Sequence, residues 1–296
     1  MSTKPIVYFT REISPKKMVE MYKALNKKLP GKVAVKLHSG EPGNQNFLKP
    51  DFFENIIQEV HGTVVECNTA YEGKRNTSLK HKETLLKHGW SEMYDVDLLD
   101  EEGPDMVLPI PNGHIIHENY VGKNLKNYDS MLVLSHFKGH PMGGFGGALK
   151  QLSIGVASSA GKSFIHTAGA TKDQYELWSK VAKQDAFLTS MADSASSVVD
   201  YFKGNMAFIN VMKNMSVDCD CCAVAEDPCM KDIGILASLD PIAIDQACVD
   251  LVKNSNDPGK DKLMERILSR NGLLTIQKAA ELNFGSTEYE LVDLDK

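Results

Sequence analysis

From residue 6 onward, short apolar runs alternate with stretches of helical period, and few architectures accept that alternation. Residues 6–10, 33–37 and 63–66 are apolar runs of strand length. Ser14 stands as an N-cap and Pro15 as the first helical residue, followed by Met18, Met21, Tyr22, Leu25 and Leu29 at helical spacing. Phe52, Phe53, Ile56, Ile57 and Val60 mark a helix over 50–60, and another over 78–88 ends at Gly89. Strands joined by helices in this way lie parallel, because the crossover returns the chain to start the next strand in the same direction.

The rhythm then changes. Pro111-Asn112-Gly113 between two extended arms predicts a hairpin over 106–120. Residues 130–134, 207–212 and 233–237 read as strands, 139–161 as a glycine-rich loop, and 172–202 as helical. Asp240 caps a helix that has Pro241 at its first position and runs to 252, and further helices are expected near 261–270 and 274–283. The expected fold is α/β: a mostly parallel sheet with helical crossovers, an inserted hairpin and a helical C-terminal segment. It is expected to form one unit over 1–296, with 1–125 and 126–296 as two lobes around a cleft if it divides.

A chain of 296 residues that is 42% hydrophobic can build its core without covalent staples. Its net charge of −6, with no cluster of Lys and Arg, argues against nucleic-acid binding. No apolar run is long enough to cross a bilayer, and the N-terminal residues lack the apolar core of a signal peptide. The expected compartment is the cytoplasm, where thiols stay reduced.

That compartment matters because four of the six cysteines crowd one stretch: Cys219, Cys221, Cys222 and Cys229. Cys219 and Cys221 alternate, so an extended segment points both the same way, and the turn at Asp227-Pro228 can return Cys229. The acidic neighbours Asp218, Asp220, Glu226 and Asp227 disfavour thiolates, which predicts poor free nucleophiles; a bound cation reverses that balance. A metal ion or an iron–sulfur cluster is therefore the expected cofactor, with buried, inert cysteines as the alternative. The spacing matches neither a zinc ribbon nor the ferredoxin run. Cys67 and Cys248 stand alone and read as core residues.

Other candidates follow predicted strands, where ligands of parallel sheets bind. His136 and His140, after the strand at 130–134, are further metal-ligand candidates; Gly139 and Pro141 oppose a helix there. Lys150 ends the glycine-rich run Gly143-Gly144-Phe145-Gly146-Gly147 and offers a point charge to an anion. Gly161-Lys162-Ser163 imitates the end of a P-loop, but Val156 stands where the earlier glycine is required; Lys162 remains a candidate anion ligand. Lys36, His38 and Asn46, with Arg75 and Asn76, form a polar set that suits a small ligand. Asp245, one turn inside an apolar helix, needs a partner and is placed with the ligand-binding set.

Taken as an ordered set, these stretches resemble the domain-of-unknown-function 362 family, whose members are often labelled iron–sulfur centre proteins. The likeness rests on 33–44, Arg75-Asn76-Thr77, Ser135 to His140, 143–150, Ala160-Gly161-Lys162, Cys219-Asp220-Cys221, and 232–241 with Asp245-Gln246. It implies an α/β fold and a metal or iron–sulfur connection, and it implies no reaction. Some relatives carry a ferredoxin module with the full cysteine run; this chain does not. The leading expectation is a metal- or cluster-binding protein that acts on or binds an anionic small molecule. The alternative is a metal-independent binder or enzyme for a phosphorylated or carboxylated metabolite. A third reading is an electron-transfer or cluster-carrier subunit with a redox partner protein.

Overall fold

A computed structural model describes residues 4–296. Strand β1 (Ile6–Thr10) leads to helix α1 (Pro15–Ala24), where the Ser14 side chain accepts the Lys17 N–H as the cap. Strand β2 (Val33–Lys36), helix α2 (Glu54–Val60) and strand β3 (Thr63–Glu66) follow. The helix expected from residue 50 starts as a tight turn, Pro50–Phe53, before α2 proper. Helices α3 (Ser78–Lys87) and α4 (Trp90–Met93) precede a short strand, β4 (Val96–Leu98). The hairpin is β5 (Met106–Pro109) with β6 (Glu118–Val121).

Strand β7 (Ser130–His136) then enters a second hairpin, β8 (Lys138–His140) with β9 (Gly144–Gly146). Helix α5 (Ala148–Lys150) continues as the π turn Gln151–Gly155, and helix α6 is Ser159–His166. Helix α7 (Gln184–Phe202), strands β10 (Met206–Met212) and β11 (Gly234–Ser238), helices α8 (Pro241–Lys253), α9 (Lys260–Ser269) and α10 (Leu273–Glu281), and strand β12 (Glu290–Asp293) complete the chain.

Eight strands form one sheet in the order β12-β1-β11-β10-β7-β2-β3-β4. Every neighbouring pair is parallel except those made by β11, which runs against both β10 and β1. All residues of β7 and β10 are buried, as expected of strands covered on both faces. The side-chain period of two divides them: Leu132, Leu134 and Ile209 join Met18, Ile56 and Leu85 on one face, whereas Met131, Val133 and Phe208 join Ala195, Ile244 and Ile276 on the other. Each such side chain contributes about 1.5–3 kcal/mol by leaving water. No described helix is long and apolar enough to cross a membrane.

Two expectations change, and three elements were not expected. The glycine-rich stretch is largely structured, because β8 and β9 pair in register, Lys138 opposite Gly146. The helix expected from 172 begins only at Gln184; before it, the Asp173 carboxylate accepts the Tyr175 N–H and the Thr171 hydroxyl donates to Glu176, local bonds that compete with a helix. Strands β4 and β12 and helix α6 carry too little periodicity to be read in advance.

The sheet order fixes where a site can form. From β2 the chain passes outward to β3 and β4; from β7 it passes to β10 on the opposite side. Strands β2 and β7 pair directly, Lys36 opposite Val133, so a topological switch point lies between them. The segments after β3, β2, β7 and β10 all leave from the same edge.

Candidate metal centre and adjoining cavity

The segment between β10 and β11 holds four cysteines and has neither helix nor strand, so its backbone groups need partners elsewhere. The segment after β2 supplies them. Asn44 Nδ2 donates to the carbonyls of Cys222 (2.9 Å) and Cys219 (3.2 Å), Gln45 Nε2 to that of Ala225 (2.8 Å), and Asn46 Nδ2 to that of Glu226 (2.7 Å). The Glu41 N–H donates to the Asp220 carbonyl at 2.8 Å. Gly43, at φ +96°, lets the strands of chain touch: a Cβ there would stand 2.8 Å from the Ala223 carbonyl oxygen. On the other flank Arg266 donates to the Val217 carbonyl at 2.6 Å. The Asn46 amide is thus spent on the cysteine loop.

Cys219 to Cys222 form a turn closed by the Cys222 N–H on the Cys219 carbonyl (2.9 Å), in place of the extended segment expected from alternation. The turn brings the Cys219 and Cys221 sulfurs together with His140 Nε2, all three within 4.8 Å of one another, with Cys221 Sγ 3.6 Å from His140 Nε2. Cys222 is half-buried beside the pair and borders the cavity. Cys229 is held apart, its thiol donating to the Met215 carbonyl at 3.3 Å.

The charges differ from those expected. Asp218 pairs with Arg266 at 3.2 Å, and Asp220 is buried between His136 Nδ1 (2.9 Å) and Lys138 Nζ (2.7 Å). Burial pushes the Asp220 carboxyl up, but His136 and Lys138 outweigh it and hold the group well below the usual range. With these acids neutralised, a hydrogen bond from Cys221 and the charges of Lys150 and Lys138 hold the Cys219 thiol well below its ordinary value. Cys221, as the donor, is pushed well above. Lys150 Nζ stands 3.8 Å from the Cys219 sulfur. The sequence context that disfavoured a thiolate is cancelled by cations from distant segments.

His136 and His140 part company at the ends of β7 and β8. Both ring nitrogens of His136 face acceptors, Nδ1 the Asp220 carboxylate and Nε2 the Lys213 carbonyl (2.5 Å), so neither is left for a metal. His140 Nδ1 accepts the N–H groups of Gly143 (2.8 Å) and Met142 (3.1 Å). Its ring proton therefore sits on Nε2, toward the sulfurs, and burial pulls the ring below its usual range.

Beside the sulfurs lies a cavity of about 240 Å³ bordered by Lys36, His38, Arg75, Lys150 and Lys162. Lys36 is fully buried and bonds Glu66 (2.6 Å) and the Leu37 carbonyl. Glu66 also accepts the Ser39 N–H and hydroxyl, both at 2.9 Å. Arg75 Nε pairs with Glu41 at 2.7 Å. His38 Nδ1 accepts the Gly40 N–H, and burial holds its ring well below the usual range. Lys162 donates to the Ala157 carbonyl at 2.6 Å, and burial lowers its ammonium.

Besides Asn46, two expected ligand residues lie outside the cavity lining. Asn76 accepts from Lys80 at 3.1 Å, away from the cavity. Asp245 lies beneath it: its carboxylate accepts the N–H groups of Ala148 (2.7 Å) and Leu149 (2.9 Å) and the Asn210 amide (2.8 Å), fixing the start of α5 and thus Lys150. Burial raises it to about 6. Gly147 admits this contact, since a Cβ there would be 2.4 Å from Asp245 Oδ1. Sequence reasoning missed Glu66 and Trp178, and it read Asn44 with the polar ligand set where the structure makes it a clamp on the cysteine loop. Of the two missed, only Glu66, a carboxylate closing an apolar strand, left a signal. Cys67, read as a core residue, is buried as expected and also borders the cavity.

The mostly parallel sheet and the cysteine–histidine cluster at its switch point define an α/β protein with a candidate metal centre. The chain belongs to the family described as Domain of unknown function (DUF362), which matches residues 33–250. No curated protein matches it. Among solved structures it is similar to the lactate racemase apoprotein from Thermoanaerobacterium thermosaccharolyticum, with 14% identity and a TM-score of 0.40, covering 69% of this chain and 50% of that one. It is also similar to a protein from Thermotoga maritima, with 10% identity and a TM-score of 0.42, covering 90% of this chain and 59% of that one. The chain thus spans less than two thirds of the length of either.

Proposed function

We propose that this protein binds a single thiophilic metal ion through Cys219 and Cys221, with His140 as third donor, at the edge of a cavity that receives a small anion. The convergence of these three donor atoms, brought together from two separate segments, carries the reading. Three protein donors of this kind suit an ion that keeps an open position, as in catalytic Cys₂His sites. A cubane cluster suits the residues less well, because it needs four thiolates and Cys229 is committed to the Met215 carbonyl. Binding through His140 has to displace the proton that the Met142 and Gly143 N–H groups keep on Nε2. When bound, such an ion supplies Lewis acidity toward a ligand in the cavity. The chain itself sets Lys150 beside Cys219, which favours its thiolate, and presents Lys162 to the anion.

A second reading has one observation behind it: a hydrogen bond from Cys221, with the charges of Lys150 and Lys138, lowers the Cys219 thiol well below its ordinary value and favours its thiolate before any metal binds. Anaerobic metal analysis and cobalt(II) titration separate the two. The expected result is one ion per chain with a thiolate-to-cobalt absorption band, both lost in Cys219→Ala/Cys221→Ala. Equal metal content in wild type and the double variant would sink the metal reading and leave the second.

A further inference from the structure

We infer that the cavity selects a small carboxylate with an apolar body, an aryl or branched alkyl acid, over phosphate esters and sugars. The inference rests on the anion-binding half of the proposed function and names the ligand's class. The cations that border the cavity are not equivalent. Lys36 and Arg75 have contact counter-charges in Glu66 and Glu41, and Lys150 faces the Cys219 sulfur. Lys162 is buried, and its only bonded acceptor among the described residues is the neutral Ala157 carbonyl. Asp100 and Glu66 act on it through space, but no carboxylate among the described residues is in ion-pair contact with it. A buried ammonium without a contact partner is costly, and a ligand carboxylate brought beside it removes that cost.

Much of the rest of the wall is apolar. Ile154, Met142, Leu177 and Trp178 border the same space. His166 adds a flat face: it stacks on Phe187, ring centroids 4.5 Å apart, and burial pulls its ring to about 3, so it is neutral. Its Nδ1 is buried without a partner. The neutral polar groups on the wall are largely spent. The Thr69 hydroxyl donates to the Tyr71 carbonyl, and the Tyr71 hydroxyl to that of Cys221. A sugar would bury hydroxyl groups here with few neutral partners to meet them, at a cost of about 1–3 kcal/mol for each unpaired group. The doubly charged phosphate of an ester would find, among the described lysines and arginine that border the cavity, only Lys162 without a carboxylate or a sulfur in contact with it. At about 240 Å³ the space is smaller than the ~300–1,000 Å³ of drug-sized sites, which excludes dinucleotides and coenzyme-sized esters.

Fluorescence gives a direct test. The chain has two tryptophans: Trp90 is fully buried in the core, and Trp178 is 58% exposed at the cavity rim. Metal-stripped and metal-loaded full-length protein would be titrated with phenylacetate, isovalerate, glucose 6-phosphate and inorganic phosphate. Phenylacetate and isovalerate are expected to give a saturable blue shift that Trp178→Phe abolishes. By calorimetry, Lys162→Met should weaken phenylacetate about tenfold or more. Trp178→Ala, at an exposed position that does not endanger folding, should weaken phenylacetate about tenfold and leave phosphate unaffected. Phosphate or glucose 6-phosphate binding as tightly as phenylacetate overturns this inference and leaves the anion reading standing. No saturation by any of the four below about 10 mM overturns both. The metal reading is scored separately, by the cobalt band.

Discussion

The two segments that meet at Cys219, Cys221 and His140 are held in opposite ways. The segment 138–155 is held by its own backbone: a hairpin, β8 with β9, then α5, with Asp245 locking the joint. The cysteine loop between β10 and β11 has no regular structure and is held from outside, by Asn44, Gln45, Asn46 and Arg266. Asn44 grips Cys219 across 175 positions of sequence. The first arrangement couples the site to global stability. The second lets the sulfur geometry be altered with little effect on the fold.

That contrast can be broken by substitution. Asp245→Ala should have the largest effect, because it strands the N–H groups of Ala148 and Leu149 and the Asn210 amide together in the core. A loss of about 3–4 kcal/mol is expected by urea denaturation, and a loss below about 1 kcal/mol would contradict the locking role. Gly147→Ala overpacks the same joint and should cost about 1–3 kcal/mol by the same measurement. Asn44→Ala should do the reverse of Asp245→Ala: cobalt affinity falling about 10–100-fold with a stability loss of only about 1–2 kcal/mol. If Asn44→Ala unfolds the protein, or leaves affinity intact, the two segments are not held differently.

The smallest effect is on pH dependence. Burial lifts Asp245 to about 6, above the ~3.9 of an unfolded chain. Its folded form therefore holds the proton more tightly, so the stabilisation is fully present below about pH 4 and is lost as pH rises through about 6. Asp220, held below its usual range, acts in the opposite sense: its stabilisation is present above about pH 4 and is lost as pH falls further. Melting temperatures between about pH 4 and 6.5 should decline less steeply in Asp245→Asn than in wild type. Equal slopes would show that Asp245 does not titrate as placed.

Much of the fold was readable in advance. Ser14 and Asp240 cap helices as their residue types dictate, and β3 and β10 fall where their apolar runs lie. Strand β12 was not legible because its order comes from pairing with β1, more than from its own pattern. At the site, crowding of thiols was visible, and so was a position after strand ends. The partition among cysteines was not: Cys229 and Cys221 look alike as residues, and only the Met215 carbonyl separates them. His136 and His140 looked equivalent until Asp220 claimed one. Asp245 was marked as a residue needing a partner and Asn46 as a ligand residue, but Asp245 is met by two backbone N–H groups and the Asn210 amide, and Asn46 by the Glu226 carbonyl.

The amino-acid sequence alone determined the alternation of strand and helix, the parallel sheet it compels and the crowding of sulfur, since side-chain period and residue type act over a few positions and need no distant partner. Tertiary structure alone decided which sulfurs meet which imidazole, which lysines keep a free charge and which amides serve as clamps. Those outcomes depend on distances between segments set by the strand order, and a one-dimensional pattern does not contain them.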